Sequence, residues 1–296
     1  MTKFSDKFMG LPAYILSMFI WGSIGIFRRY IPLPDGFVAL SRGVIGALFL
    51  GLLMLFTKKR VNWRAARQNL IPLCISCVCL GMNWMLFFKA NMLTTVAAAT
   101  VCYYMAPVLI TLAAPFVLKE RLTPKKVVCV FAAVLGVVFV SGLLQSGENA
   151  QLPGIFCGLG AACLYATVML MNKLMKGIDA LDRTFIQLSA TSVVLFLYSA
   201  IFEFKELTFV AMDGKAIAFL LLIGIVHTGV AFIWFFGSIP RLSAQTSALC
   251  SYIDPVVAIL LSAIILKESL GALGIIGAVL VIGAALVGEL SFTRRK

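Results

Sequence analysis

Apolar runs of about 20 residues follow one another along the chain with short polar breaks between them, and a helix of that length spans the roughly 30 Å hydrocarbon core of a bilayer. The pattern predicts ten helical spans, at about 11–31, 36–56, 70–90, 94–118, 125–144, 153–174, 184–203, 215–237, 243–266 and 271–290. The sequence lacks the alternation of a membrane β-barrel, so helices are left as the way to satisfy the backbone in lipid. Pro12, Pro124 and Pro153 stand at span beginnings, where a missing N–H costs nothing. The longest polar links, Thr57 to Asn69 and Phe204 to Lys215, hold about a dozen residues each and leave no room for a soluble domain.

One stretch occurs twice. Gly81 to Leu122 matches Gly229 to Leu270 at an offset of 148 with no gap, and 12 of 42 positions are identical. The matches include Phe87-Phe88 with Phe235-Phe236, Tyr104 with Tyr252, Pro107-Val108 with Pro255-Val256, and Lys119-Glu120 with Lys267-Glu268. Each copy covers two consecutive spans, the second interrupted near its middle by proline. Five spans per half is an odd number, so the second copy is expected upside down relative to the first. The expected halves are residues 1–147 and 148–296, an all-α integral membrane protein of ten transmembrane helices in two inverted five-helix repeats. Inverted repeats of this kind are a hallmark of secondary transporters, with the binding site near the midplane where the repeats meet.

Composition agrees: 61% of residues are hydrophobic, 12% are charged, and mean hydropathy is +1.03. The net charge of +13 does not point to nucleic acid, because the basic residues sit in short loops between apolar runs. With ten spans and an internal N-terminus, 18 of the 25 basic residues fall on the cytoplasmic side, which sets both termini there. Met1 to Phe8 followed by Leu11 to Phe27 resembles a signal peptide, but no small-residue cleavage site follows, so this run is read as the first span. All eight cysteines lie inside apolar segments and read as packing residues, Cys74-x-x-Cys77-x-Cys79 included. No metal and no cofactor are expected.

Pro107 and Pro255 free the carbonyls of Tyr103 and Ser251, which must then face protein, water or solute. A plain structural kink is the alternative. Ser247, Ser251, Asp254, Ala258 and Ser262 form a small polar stripe on the ninth span, and Ala99, Tyr103, Ala106, Ile110 and Ala114 its counterpart on the fourth. Such stripes serve close packing as readily as binding, as do Gly43-x-x-x-Ala47-x-x-x-Gly51 and Ala284-x-x-x-Gly288. Trp21, Asn83, Trp84, Tyr165, Asn172, Gln187, His227 and Trp234 are further inward candidates; Tyr165 with Asn172 and His227 with Trp234 are spaced to share a helix face. Together with Tyr104 and Tyr252 beside the prolines, they would line a cavity for an amphipathic small molecule.

Charge within a span is the sharpest signal, since Asp, Arg or Lys at a helix centre costs about 2.5–3.5 kcal/mol on insertion scales. Asp254 is the one acid deep in a predicted span. It suits proton coupling or a substrate amine, or else it caps backbone N–H groups or pairs with a neighbouring Arg or His. Arg42 and Lys89 lie near span ends and read as snorkelling to the interface. For His227, hydrogen-bonded packing and proton handling stand equal.

Trp21-Gly22-Ser23, Ser41-Arg42, Pro107 with Lys119-Glu120-Arg121-Leu122, and Asp254-Pro255 with Lys267-Glu268-Ser269-Leu270 together resemble the drug/metabolite transporter superfamily, in particular its EamA-type ten-helix members. The resemblance covers nearly the whole chain. It implies two inverted five-helix repeats around a central cavity open to one side at a time, moving small metabolites, amino acids or drugs. Asp254 departs from the usual pattern, and its counterpart in the first half is Ala106.

The expectation is therefore a secondary transporter in a bacterial cytoplasmic membrane, multi-pass with both termini inside, that is not an enzyme. Its partners are a small organic solute and the lipid bilayer, not nucleic acid, and a homodimer stays open. An uncoupled facilitator shares all these signals. A membrane-embedded enzyme acting on lipid would need a polar cluster of His, Asp or Glu near one interface, and a single histidine with scattered acids argues against it.

Overall fold

The computed structural model describes residues 10–117, 124–140, 152–203, 213–238, 241–242, 250–268 and 270–293. These are helical, with no strand among the described residues. In chain order they form α1 (Leu11–Arg29), α2 (Asp35–Phe56), α3 (Trp63–Gln68), α4 (Leu70–Leu93), α5 (Val96–Tyr103), α6 (Ala106–Val117), α7 (Pro124–Val140), α8 (Leu152–Leu174) and α9 (Ala180–Phe202). The remainder are α10 (Gly214–Leu222), a π-helical segment (Ile223–Val230), α11 (Ala231–Ser238), α12 (Ile253–Ile265) and α13 (Gly271–Thr293). All ten apolar segments thus contain helix. Among the described residues seven stretches are long and apolar enough to cross a membrane, and three shorter apolar helices, Val127–Val140, Ile253–Ile265 and Gly271–Val287, fall in the fifth, ninth and tenth segments.

The link Thr57 to Asn69, expected as a polar connection, holds the short helix α3. Asn62 starts it by accepting from the Ala65 amide at 3.1 Å, and Ala65 and Ala66 bury one side of it. Side-chain caps start other helices too: Thr95 for α5, Asp179 for α9 and Asp213 for α10. Glu203 caps the start of α2 from the end of α9, accepting from the Gly36 and Phe37 amides at 3.0 and 3.1 Å.

Two apolar cores flank the centre of the molecule. One joins α5, α6, α7, α8 and α13; the other joins α1, α2, α4, α9 and the π-helical segment. The main packing pairs are α4 with α8, α7 with α13, α2 with α9, and α1 with α12. The α7–α13 crossing is close because Gly136 and Gly277 meet there: a Cβ on Gly136 would stand 2.7 Å from the Gly277 carbonyl oxygen. The stripe Gly43-x-x-x-Ala47-x-x-x-Gly51 packs on α9, where Gly43 faces Ser192 and Gly51 faces Phe185. The eight cysteines carry free thiols.

Candidate functional site

Two proline-interrupted segments set the centre. Helix α5 ends at Tyr103, Tyr104 and Met105 form a turn, and α6 begins at Ala106, so Pro107 lies in the first turn of a new helix. Pro255 is placed alike, in the first turn of α12 after a turn at Tyr252. The expected mid-helix kinks are therefore helix breaks. A first-turn residue needs no N–H partner, which makes the break the less costly solution. Of the two carbonyls freed by the prolines, that of Ser251 accepts the Tyr104 hydroxyl at 3.1 Å, so an aromatic from one break satisfies the other. Around this bond the rings of Phe87, Tyr103, Tyr104, Tyr165 and Tyr252 form a chain, with centroids 4.7 Å apart for Phe87–Tyr103, 5.3 Å for Tyr103–Tyr165 and 6.0 Å for Tyr104–Tyr252. Asp254, half-buried, puts its carboxylate beside the Tyr104 hydroxyl.

Arg42 belongs to this cluster, which corrects its reading as an interfacial residue. It is 7% exposed, and it lies seven residues into α2, about 10 Å from the helix start at 1.5 Å per residue. Its Nε donates to Thr228 Oγ1 at 2.9 Å and its guanidinium lies over the Trp84 ring, 4.1 Å from the centroid. Both contacts hold the head among the helices. Tyr103 and Asp254 lie within its electrostatic reach. The sequence offered one hint, the Ser41-Arg42 pair among the family-like motifs; its helix position alone did not distinguish it from a snorkelling arginine. Lys89, near the end of α4, is exposed as expected.

The π-helical segment brings Thr228 and His227 to the same region. Thr228 Oγ1 donates to the Ile223 carbonyl five residues back, at 3.1 Å, which fixes the oxygen that receives Arg42. His227 is 2% exposed, and both its ring nitrogens are engaged. Nδ1 faces the Leu222 carbonyl at 3.3 Å and Nε2 faces Ser23 Oγ at 3.0 Å. A carbonyl can only accept, and the single hydroxyl proton of Ser23 goes to the Ile20 carbonyl at 2.8 Å, so each ring nitrogen faces an acceptor oxygen. Trp21 donates its indole N–H to the His227 carbonyl at 2.8 Å and packs against Phe232 and Phe235. Its neighbour Gly22 lets α1 and α12 cross closely, since a Cβ there would stand 2.8 Å from that of Val257.

The remaining expected residues mostly join or pack helices. Asn83 is buried beside Tyr103, but its amide nitrogen is committed to the Ala161 carbonyl at 2.6 Å, clamping α4 to α8. Asn172 accepts from Gln187, which also donates to Ser76, each at 2.8 Å, so it joins α8 to α9. Trp234 is half-buried on α11; the 3.6-residue register linking it to His227 does not hold across the wider turns of a π-helix. The ninth-span stripe is mostly packing: Ala258 is buried, Ser251 Oγ meets the Tyr14 hydroxyl at 2.9 Å, and Ser262 donates to Glu268 at 2.6 Å. Ser247 and Lys119-Glu120-Arg121-Leu122 lie outside the described residues.

Glu268, the acid of the second Lys-Glu motif, ties three segments together. It pairs with Arg29 at 2.8 Å, accepts the Val96 amide at 2.9 Å, and takes the Ser262 hydroxyl. Sequence repetition marked the motif without showing this role.

The sequence profile of the EamA-like transporter family matches residues 8–142 and again residues 152–288. The chain belongs to the EamA-like transporter family. Curated relatives include the uncharacterized transporter YxxF of Bacillus subtilis, 29% identical over 252 residues, covering 84% of this chain and 79% of the relative. YoaV of the same organism is 26% identical over 255 residues, covering 85% and 86%. Protein RarD of Salmonella typhi is 24% identical over 269 residues, covering 89% and 88%. A solved crystal structure superposes with a TM-score of 0.66 at 21% identity, covering 96% of this chain and 98% of the other, which shows the shared fold. This EamA transporter is thus a multi-pass membrane protein.

Proposed function

We propose that this EamA transporter is a secondary transporter of the cytoplasmic membrane that moves a small organic solute by alternating access through the cluster at its two helix breaks. The observation that carries the reading is the meeting of the breaks: Tyr104 bonds Ser251, and Asp254 and Arg42 stand in the same aromatic surroundings. Freed backbone, aromatic walls and intramembrane charge belong together at a solute site, not in a lipid-facing wall.

Ten spans in two inverted repeats support the mechanism. The family profile matches twice, and several of the main packing pairs map onto one another when each span is exchanged for the one five places on. The first span packs on the ninth as the fourth does on the sixth, the third on the seventh as the second on the eighth, and the third on the sixth as the first on the eighth. Reporter fusions after Phe56, Leu174 and the C-terminus should report cytoplasm, and a fusion near Asp213 the outside. A cytoplasmic signal at Asp213 would rule out the inverted arrangement.

Asp254 is the proton-coupling or amine-binding group of this reading. The deciding experiment compares wild type and Asp254→Asn in proteoliposomes, following solute flux and a pH-sensitive dye with and without an imposed gradient. Loss of gradient-driven flux with exchange retained supports coupling. Flux in wild type that ignores the gradient makes the protein a facilitator.

A further inference from the structure

A groove of about 480 Å³ runs along the outside of the molecule between α2 and α9. Leu48, Leu52 and Leu55 of α2 and Phe185 of α9 line it, and the stretch Ala47 to Leu55 is about 12 Å long at 1.5 Å per residue. The three leucines are 63%, 53% and 74% exposed, so the groove opens toward the lipid around the span. Its apolar walls offer water no partners, which leaves hydrocarbon to fill it. A helix with its side chains is about 10 Å wide and takes up about 1,000 Å³ over that length, so a single hydrocarbon chain fits better than a second protein.

The mouth of the groove is basic. Lys59 and Val61 form its wall there, just past the end of α2. The Lys59 amide donates to the Met54 carbonyl at 2.9 Å and the Lys58 amide to the Leu55 carbonyl at 3.1 Å, a turn that holds Lys58 at φ 54°, where glycine is the usual residue. The link from Thr57 to Asn69 contains five basic residues and no acid. Asp179 and Asp182, at the start of α9, stand 2.6 and 3.6 Å from Lys59 Nζ. Lys58, Arg60, Arg64 and Arg67 are exposed and belong to no ion pair among the described residues. Trp63, 60% exposed, lies among them in sequence, and Trp collects at the level of lipid headgroups.

We propose that this groove is a binding site for an anionic phospholipid, one acyl chain lying between α2 and α9 and the phosphate held by the basic link at the mouth. Clusters of four or more Lys and Arg beside a membrane span attract anionic lipid. Asp179 and Asp182 engage Lys59, so the phosphate falls to its neighbours Lys58 and Arg60. A zwitterionic headgroup offers the same phosphate but brings an ammonium that the surrounding cations repel. Groove and charge act together: the groove fixes the chain without choosing a headgroup, and the exposed cations choose the headgroup without fixing the chain. The site shares no residue with the cluster at the helix breaks and does not depend on what that cluster carries.

The test uses the purified full-length chain, stripped of lipid in detergent, with bound lipid counted by native mass spectrometry and stability followed by thermal shift. The probes are phosphatidylglycerol, phosphatidylcholine and diacylglycerol with the same acyl chains, and inorganic phosphate. Phosphatidylglycerol should be retained and should raise the melting temperature at a concentration about tenfold lower than either other lipid, and phosphate alone should do neither. Lys58→Gln combined with Arg60→Gln should bring phosphatidylglycerol down to the level of phosphatidylcholine. Leu52→Trp, or Leu48→Trp should the first not fold, narrows the groove at a side chain more than half exposed and should weaken both phospholipids. Equal retention of the two phospholipids by the wild-type chain overturns the proposal and leaves ordinary surrounding lipid in the groove. An effect of phosphate as large as that of phosphatidylglycerol reduces the site to an adventitious ion only, and a phosphatidylglycerol preference that survives the charge variant or the groove variant places the lipid elsewhere; either result overturns the proposal as well.

Discussion

The indole N–H of Trp21 donates to the backbone carbonyl of His227 at 2.8 Å, tying the middle of α1 to the π-helical segment that positions Thr228 and, through it, Arg42. Trp21→Phe keeps the ring packing and removes the donor. The expected loss is about 0.5–1.5 kcal/mol, the usual net worth of a hydrogen bond, read as a lower apparent melting temperature in detergent. A His227→Gln variant, which leaves the main-chain carbonyl in place, should not reproduce the effect of Trp21→Phe when the two are combined.

Tyr104→Phe removes the hydroxyl that donates to the Ser251 carbonyl beside the Pro255 break. Losing one hydrogen bond costs about 0.5–1.5 kcal/mol net, so this variant should unfold at lower temperature and transport more slowly. Tyr252→Phe is the control on the other break, measured in the same thermal assay.

Glu268→Ala should cost about 2 kcal/mol, because the carboxylate serves a guanidinium, the start of α5 and the Ser262 hydroxyl together. Glu268→Gln keeps acceptor capacity and should recover roughly half of that. Arg29→Ala combined with Glu268→Ala should fall short of the sum of the singles, which a double-mutant cycle would measure.

Lys59 lies 2.6 Å from Asp179, and that hydrogen bond holds the Asp179 carboxyl below its ordinary value of 3.8. A depressed folded-state value contributes stability above the unfolded-state value that is lost as pH falls through the folded one. Asp179→Asn retains the cap on the Leu181 amide and removes only the charge. The melting-temperature gap between wild type and Asp179→Asn should be small, present at pH 7, reduced by salt, and gone well below pH 3.8.

Helix positions were legible in the sequence because twenty apolar residues in lipid have one way to satisfy their backbone. The pairing of Tyr104 with the other proline break was legible in part, since the repeat marked both, though not that one ring would serve the opposite carbonyl. Arg42 was not legible. Its depth depends on α2 starting at Asp35, and its direction on Trp84 and Thr228, residues distant in sequence. The π-helical turns at Ile223–Val230 leave no mark in composition, because their apolar residues fit i→i+4 and i→i+5 bonding alike, and so the expected pairing of His227 with Trp234 used the wrong period. Ser262 read only as one member of a small polar stripe, because a hydroxyl's partner six residues away lies beyond any helical spacing rule.

Glu268 caps the amide of Val96 from 172 residues further along the chain. Synthesis runs from the N-terminus, so α5 emerges and enters the bilayer long before its cap exists. Until then its start must be served by Thr95, water or lipid headgroups, and the Arg29 charge lacks this acid. The arrangement of the early helices therefore stays provisional during synthesis, and it is completed only when the residues after α12 have been made and Glu268 delivers its carboxylate to the start of α5.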